Sequence, residues 1–413
     1  MSKTIAILAT LDSKGREAAY LASRVKALGH AAILIDAGVL GQPTARPDIA
    51  REQLARAAGT EIEQLRAVDD RGAAIMAMAR GAAAIVMDLY RNSRIDGLLG
   101  LGGSSGSSIA AAAMRGLPIG FPKVLVSTMG SGDTRPYVGA RDVTMMHSVV
   151  DISGLNRISR RILANAAAAV CGMVSVSLPP TAERPMIALT MMGLTTPCAV
   201  AASAVLEDAG FEVLAFHANG PGGQAMEALI EEGYFTGVLD MTPAEWADEL
   251  FGGKGGAGPH RMEAAGRRGL PQVVSLGGLD MVRFGPISVV PARYRARLLH
   301  EHNPTITLMR TTPEECRALG ELIAVKLNLA QAPVRILLPL RGLSNVDRAG
   351  GVFEDQVARS ALFAALRETL SPRVQCIEMD LHINDPEFGQ ALAASLVALV
   401  GQSSGDSPQP ERS

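Results

Sequence analysis

Short apolar runs alternate along this chain with loops rich in Gly, Ser and Thr and with stretches whose apolar residues recur at helical spacing. Residues 4–9 (TIAILA) predict a strand, and residues 16–28, which end at Gly29, predict a helix. The same succession recurs around residues 97–101 and 123–126, where a polar loop follows each apolar run. Strands that alternate with helices at this spacing predict βαβ units and a mainly parallel sheet.

The rhythm starts again after residues 177–185, a stretch with three prolines and no periodicity. Segments that begin at Ile5 and Ile187 place strand, loop, helix, glycine stop and second strand at matching offsets. The pattern therefore predicts two consecutive doubly wound, mainly parallel α/β domains with a cleft between them. We place them at residues 1–176 and 186–400, with residues 177–185 as a linker. Any two βαβ units look alike, so common architecture and true duplication both remain open.

Three other segments interrupt the pattern. Residues 43–67 have a helical middle but no clear strand, and we interpret them as an insertion. Residues 252–258 contain five glycines and predict a flexible insertion. The polar, proline-containing residues 401–413 predict a disordered tail.

Composition narrows the function. The net charge of -2 and the 4% aromatic content argue against a nucleic-acid binder. The four cysteines form no CxxC motif, and we find neither a signal peptide nor an apolar run long enough to span a membrane. We therefore expect a cytoplasmic protein with reduced thiols. The 43 glycines in 413 residues exceed the typical share of about 7%, and they concentrate in loops that follow strands.

The glycine- and serine-rich loop after the third predicted strand is the strongest candidate site. Glycine lets a backbone approach an anion, and the helix that follows would present free N–H groups to it. The loop therefore predicts a cradle for phosphate or carboxylate, although it is neither a Walker A loop nor a GxGxxG fingerprint. The alternative is an ordinary turn with a serine cap. The candidate residues are Gly102, Gly103, Ser104, Ser105, Gly106 and Ser107.

Loops after other strands could complete a nucleotide site, because ligands of parallel sheets bind at the carboxyl ends of the strands. Lys14 could supply positive charge, Asp12 could hold Mg²⁺ through water, and Asp36 stands where a ribose-binding acid often sits. Capping and solvation are the alternatives for these residues. The remaining candidates are Thr10 in the first loop and Ser127, Thr128, Gly130, Ser131 and Gly132 after the fourth strand.

The second half carries histidine and arginine side chains in corresponding loops. Together they would suit general acid–base work on a small anionic metabolite, whereas each alone is as well explained as a surface or capping residue. No spacing matches a zinc site, so the metal is unknown. The candidate catalytic residues are His217, Arg310, Arg341, Ser344 and His382.

At these loops the chain resembles the Tm-1-like ATP-binding family, UPF0261. The resemblance rests on IAILATLDSKG, DGLLGLGGSSGSS, PKVLVSTMGSGD and MHSVVDISGLNRI in the first half, and on TLMRTTPEE, LPLRGLSNVD and HINDPEF in the second. It implies an ATP-binding first domain, two α/β domains and self-association into a homo-oligomer. Plant members are fused to a TIM-barrel domain, which this sequence lacks.

Two functions therefore compete. The first is an enzyme, or enzyme subunit, that uses ATP, with Mg²⁺ as an option, to act on a small anionic metabolite. The second is a non-catalytic nucleotide-binding module that regulates a TIM-barrel partner protein. A sugar- or acid-binding protein of the periplasmic two-lobe type is weaker, because no signal peptide is found.

Overall fold

A computed structural model describes residues 2–68, 70–179 and 183–405, and the chain divides into two compact units, residues 1–180 and 181–413. Each unit is an α/β domain built on a parallel sheet. The elements of the first domain are β1 (Thr4–Ala9), α1 (Leu11–Ala27), β2 (Ala31–Asp36), α2 (Arg51–Ala57), α3 (Ile62–Ala67), α4 (Arg71–Arg91), β3 (Gly97–Gly102), α5 (Ser104–Gly116), β4 (Lys123–Ser127), α6 (Arg135–Val138), β5 (Thr144–His147) and α7 (Arg157–Val174).

The first sheet has five parallel strands in the order β2-β1-β3-β4-β5, which is the flavodoxin-like arrangement. Strand β1 shows why the sheet is doubly wound. Ile5 and Ile7 pack in one cluster with residues of α1 and α7, whereas Ala6 and Leu8 pack in another with residues of α4 and α5. Alternate side chains point to opposite faces of a strand, so helices bury the sheet from both sides.

The loop expected after β3 is in fact the first turn of a helix, because α5 starts at Ser104. Helix α1 begins with a short turn at Leu11 and has a break at Lys14, where the backbone is not helical, so its regular part starts close to the predicted residue 16. Small polar residues are weak helix formers in the interior but suit helix starts, so periodicity alone does not identify the first turn of α5.

The segment interpreted as an insertion supplies two short helices, α2 and α3, whose buried Leu54 and Ile62 join the core beside α4. Among the described residues, α4 is the one helix that length and composition would allow to cross a membrane. Its Met78, Val86 and Leu89 are buried in the core of the domain, however, and a core helix of a soluble protein meets the same criteria.

The second domain repeats the first arrangement and extends it. The elements are β6 (Met186–Met191), α8 (Thr196–Asp208), β7 (Glu212–His217), α9 (Pro221–Glu231), β8 (Phe235–Asp240), α10 (Glu245–Phe251), α11 (Ala264–Arg267), β9 (Gln272–Val274), β10 (Met281–Phe284), β11 (Leu299–Asn303), β12 (Ile306–Arg310), α12 (Pro313–Asn328), β13 (Val334–Pro339), α13 (Gln356–Thr369), β14 (Val374–Met379) and α14 (Pro386–Gly405). The parallel sheet has the order β14-β13-β9-β8-β6-β7, so its first four strands in chain order pair as those of the first domain do.

A small antiparallel sheet, ordered β10-β12-β11, was not predicted. Its middle strand, β12, pairs antiparallel with both neighbours instead of joining the parallel sheet. A run of apolar residues specifies a strand but not its partners, because pairing depends on contacts distant in sequence.

The glycine-rich segment 252–258 is packed rather than loose. A Cβ at Gly253 or at Gly255 would lie less than 3 Å from the carboxylate of Asp248, and Gly255 is buried. These glycines therefore let the chain pass close to a buried acid. At the end of the chain, α14 continues to Gly405, past the predicted start of the tail at residue 401, and residues 406–413 lie outside the described residues.

Candidate functional site

A pocket of about 770 Å³ lies at the carboxyl end of the first sheet, where strand order reverses between β1 and β3. Such a switch point is where open parallel sheets bind ligands. The lining comes from the starts of α1, α4 and α5, from α3 and from the loop after β2. The lining residues are Thr10, Asp12, Ser13, Lys14, Ala37, Gly38, Val39, Leu40, Gly41, Leu65, Arg66, Val68, Asp70, Arg71, Ala74, Ile75, Gly103, Ser104, Ser105, Gly106 and Ile109.

Helix α5 presents its N-terminus to this pocket. Its N-cap residue is Gly103, which has no side chain to cap the first turn, and the pocket lining includes Ser104, Ser105 and Gly106. Uncapped N–H groups and the positive end of the helix dipole favour an anion here. The turn is tight, because a Cβ at Gly102 would lie 2.7 Å from backbone atoms of Gly106.

Two arginines that sequence reasoning missed also line the pocket. Arg71, at the start of α4, donates a hydrogen bond of 3.1 Å to the hydroxyl of Ser105. Arg66, in α3, donates from Nε to the carbonyl of Val39, and its buried Nη2 has no hydrogen-bond partner among the described residues. Arg66 lies near the end of the segment that we interpreted as an insertion, and Arg71 follows that segment. The signal available was the arginine at the start of a long helix.

The first turn of α1 forms another wall. The hydroxyl of Thr10 lies 2.8 Å from that of Ser13, and the carboxylate of Asp12 accepts a hydrogen bond of 3.3 Å from the Gly41 N–H. The Lys14 ammonium donates to the carbonyl of Ile152, so this cation has a partner within the domain. All three predicted residues, Thr10, Asp12 and Lys14, therefore line the pocket.

Asp36 has a structural role in the described geometry. It is 1% exposed and is absent from the pocket lining. Its Oδ1 accepts hydrogen bonds from the N–H groups of Leu11 (2.9 Å) and Gly38 (2.8 Å), which tie together the loops after β1 and β2. Burial raises the pKa of Asp36, and the two backbone hydrogen bonds oppose that rise. Because this carboxylate is buried and lies outside the pocket lining, it is not placed to contact a ribose as the sequence predicted.

Ser107 and Ser127 are likewise internal. Their hydroxyl oxygens are 2.6 Å apart and both side chains are fully buried. Thr128 begins the short 3₁₀ turn Thr128–Ser131, and its Oγ1 lies 3.8 Å from an ideal Cβ at Gly103. Of the predicted residues after β4, however, none lines the described pocket. These are Ser127, Thr128, Gly130, Ser131 and Gly132. The loop after β4 therefore contacts the first turns of α5 without lining the pocket.

In the second domain, Arg310 and Ser344 belong to a buried polar network. Arg310 is 4% exposed and donates to the carbonyls of Phe353 (2.8 Å) and Asp280 (3.1 Å). The hydroxyl of Ser344 donates to Asp280 over 2.7 Å. Burial, and then the nearby charge of Asp347, raise the pKa of Asp280 to about 7. Arg310 and Ser344 were expected to contact a substrate, but their side chains form hydrogen bonds within the domain instead.

The other three candidate catalytic residues lie near the two edges of the parallel sheet. Arg341 is exposed and forms an ion pair of 2.7 Å with exposed Asp380. His217 ends β7 and His382 follows β14, and these strands are opposite edges of the six-stranded sheet. Five strand spacings of about 4.8 Å separate these edges by roughly 24 Å. His217 is therefore distant from His382, whereas His382 contacts the Ser344 carbonyl and Ser344 and Arg310 both bond Asp280, so the five residues do not all converge in one site.

Each histidine also has its own environment. The His382 Nε2 donates to the carbonyl of Ser344 over 2.9 Å, and its Nδ1 accepts from the N–H of Asn384 over 3.1 Å. Burial, and then the charge of Arg283, lower the pKa of His217. Neither arrangement points to a shared proton-transfer site. Within the described part of the chain, no group of three or more His, Cys, Asp or Glu side chains could hold a metal ion.

The switch point of the second sheet is filled by the domain's own side chains. The carboxylate of Glu245 accepts hydrogen bonds from the N–H groups of Gly220 (2.9 Å) and Gly223 (3.1 Å), at the start of α9. Arg261, 1% exposed, donates to Glu245 over 2.6 Å and makes a two-pronged contact with Asp240. A buried internal anion thus occupies the kind of helix start that is open in the first domain.

Fold and pocket together define a two-domain α/β protein whose first sheet carries an open, arginine-lined pocket at its switch point. The chain belongs to the uncharacterised protein family UPF0261: the model of the family's N-terminal domain matches residues 3–179, and that of its C-terminal domain matches residues 184–400.

The relatives agree along nearly the whole chain. A UPF0261 protein of Clostridium tetani is 49% identical over 97% of this chain and all of its own length, and one of Rhizobium meliloti is 47% identical over 95% and 98%. The ToMV resistance protein Tm-1(GCR237) of Solanum lycopersicum is 40% identical over 84% of this chain but only 47% of its own length. The solved esterase domain from a Rhodothermus marinus protein aligns with 53% of this chain and 88% of its own, at 12% identity. The TM-score of 0.29 is too low to indicate a shared fold.

Proposed function

We propose that the first domain binds ATP, or a related nucleotide, in the switch-point pocket. The supporting observation is that the uncapped start of α5 and the side chain of Arg71 meet at one opening. The N–H groups of Ser104, Ser105 and Gly106 would hold phosphate oxygens, and Arg71 would offset their charge. Arg66, with an unpaired buried Nη2, would add a second guanidinium.

The apolar part of the pocket suits a purine ring. Leu65, Val68, Ile75 and Ile109 line it, and Val68 is 58% exposed, which is costly for an apolar side chain without a ligand. The described lining contains no aromatic side chain, so the base would rest on aliphatic groups. Asp12, whose carboxylate faces the same pocket, would hold Mg²⁺ beside the phosphates, through water.

A regulatory role for nucleotide binding is the candidate that the second domain favours. Arg310 and Ser344 are buried in a polar network, and His217 and His382 lie at opposite sheet edges. An enzyme acting on a small anionic metabolite would need a different set of catalytic side chains. We therefore infer a cytoplasmic, self-associating module whose ATP-bound form changes affinity for a partner. The tomato relative extends far beyond the matched region, and a TIM-barrel protein is the partner that the family resemblance suggests.

The nucleotide site can be tested with one substitution and its matched control. Ser104→Glu places a carboxylate at the first position of α5. Its negative charge interacts favourably with the helix dipole but repels phosphate. Ser108→Glu makes the same change one turn later, at an exposed position outside the pocket lining. We would titrate ATP, ADP and adenosine by calorimetry and by thermal unfolding.

ATP at about 100 times its Kd should stabilise the parent chain and Ser108→Glu by about 2.7 kcal/mol. The Ser104→Glu variant should unfold at the same or a higher temperature without ligand, and ATP should not stabilise it. Equal ATP binding by both variants would place the nucleotide elsewhere. Partner regulation would be contradicted if purified chain turned ATP over into product at a catalytic rate.

A further inference from the structure

The first domain carries a second concave surface, distinct from the switch-point pocket, between the middle of α1 and the start of α7. Its volume is about 600 Å³, within the range of small-molecule sites. Four of its eight lining residues are arginines and none is acidic. They are Tyr20, Arg24, Leu155, Asn156, Arg157, Arg160, Arg161 and Ala164, and we call this surface the arginine pocket.

Within the part of the chain that the structure describes, the arginine pocket lacks an acidic partner for its charges. Within the described residues, none of Arg24, Arg157, Arg160 and Arg161 forms an ion pair with an acidic side chain. The nearby carboxylate of Glu17 is buried and accepts a hydrogen bond of 2.5 Å from the N–H of Gly154. The opening therefore concentrates positive charge.

Helix electrostatics make this placement unfavourable for the free chain. Arg157 and Arg160 stand in the first turn of α7, at the positive end of the helix dipole, and no acidic residue shares that turn. Arg157 and Arg161 are four positions apart on one face, where like charges repel. Arrangements that work against local stability are expected at functional sites.

Some of the pocket is held in place by its own contacts. The guanidinium of Arg160 lies over the ring of Tyr20, 5.5 Å from its centre, and the Tyr20 hydroxyl donates to the Arg160 carbonyl over 3.3 Å. The Asn156 side chain caps the N–H groups of Ile158 and Ser159, both at 2.9 Å. Binding would therefore rest on guanidinium groups, and not on the helix start itself.

We propose that the arginine pocket binds a small ligand that carries two or more phosphate groups. Guanidinium groups make paired hydrogen bonds to phosphate oxygens, and several charged groups of the ligand are needed to satisfy several arginines. This site needs neither a base nor a ribose, and it is independent of the nucleotide proposed for the switch-point pocket.

The test uses tripolyphosphate, with orthophosphate and citrate as comparison ligands, in calorimetry at constant ionic strength on the full chain. Arg157→Gln with Arg161→Gln removes two charges from the pocket. Arg80→Gln with Arg91→Gln is the matched control, because both arginines are exposed on α4 and line neither pocket. Ser104→Glu reports on the switch-point pocket.

In the Ser104→Glu background, which removes phosphate binding at the switch-point pocket, tripolyphosphate should still bind, and equally in the presence of the control substitutions. The pocket variant should bind it at least about tenfold more weakly, since hydrogen bonds to charged groups carry that much affinity. Without ligand, the pocket variant should unfold at the parent's temperature or above it. Loss of binding in Ser104→Glu instead, or equal binding of citrate, would overturn the proposal. So would a Kd weaker than about 1 mM for the parent, or a lowered unfolding temperature that shows a structural role for the two arginines.

Discussion

Arg71 donates from its guanidinium to the hydroxyl of Ser105 over 3.1 Å, and this bond joins the first turn of α4 to the first turn of α5. Two helix starts are thereby held at one opening, and the positive ends of both dipoles point toward it. An anion that enters the pocket meets an arrangement that already exists, so little ordering would be needed on binding.

Replacement of this arginine should weaken nucleotide binding without unfolding the domain. Arg71 is exposed, so Arg71→Ala removes a cation from the opening at little cost to the core. We expect the Kd for ATP to rise about tenfold, as for loss of one hydrogen bond to a charged group. Calorimetric titration measures this, with Arg91→Ala at the far end of α4 as the control. Unchanged affinity in Arg71→Ala would remove the arginine from the site.

Neighbouring glycines in the α5 turn should respond differently to the same added methyl group. At Gly102 a Cβ would lie 2.7 Å from the Gly106 backbone, whereas at Gly103 the nearest atom is 3.8 Å away. Gly102→Ala should therefore lower the free energy of unfolding by about 1–3 kcal/mol through overpacking. Gly103→Ala should leave it nearly unchanged. Urea denaturation of both variants checks this, and equal losses would contradict the described turn.

Asp280 should make stability depend on pH in an unusual direction. Its pKa is raised to about 7 in the folded chain, against about 3.9 when unfolded, so the folded state binds more protons between these values. The free energy of unfolding should fall as pH rises from about 4 to about 7, by on the order of 1 kcal/mol per pH unit, and level off above that.

The Asp280→Asn variant removes this contribution and keeps an oxygen that accepts from Ser344. Urea denaturation at intervals from pH 5 to pH 8 should show a steeper decline for the parent than for the variant. If the two declines coincide, Asp280 is ionised throughout that range and its raised pKa is refuted.

Two arginines with similar sequence contexts should differ sharply in stability. Arg310 is buried and lies 3.7 Å from the buried carboxylate of Asp347, so Arg310→Ala leaves that charge less well compensated and should cost about 3–5 kcal/mol. Arg341 forms an exposed pair with Asp380, which solvent screens, and Arg341→Ala should leave the unfolding temperature nearly unchanged. Thermal unfolding of both variants tests the contrast, which a comparable loss in the two would disprove.

The sequence predicts the class of fold and several pocket residues, because these follow from local pattern. Apolar periodicity identifies β1, and glycines identify the turn before α5. Gly103, Ser104, Ser105 and Gly106 were expected at the site and do line the pocket. Once the order of strands in the sheet is known, that order determines the loops that meet at the switch point.

The remainder depends on contacts distant in sequence. Arg66 and Arg71 reach the pocket because α3 and α4 pack beside β1 and β3, and no local pattern specifies that packing. Likewise, His217 and His382 follow strands in similar ways, yet the sheet places them at opposite edges. Burial also decides roles that residue type cannot, as Asp36 and Ser344 illustrate.

The carboxylate of Glu245, which caps α9 and contacts Arg261, suggests that the second domain can be tested by chemical rescue. Glu245→Ala should empty the anion position while Asp240 still pairs with Arg261. Added acetate or formate should then restore part of the lost unfolding temperature, and larger carboxylates should restore less. The second domain would in this way gain a binding site for a small carboxylate, made from the helix start that its own side chain fills.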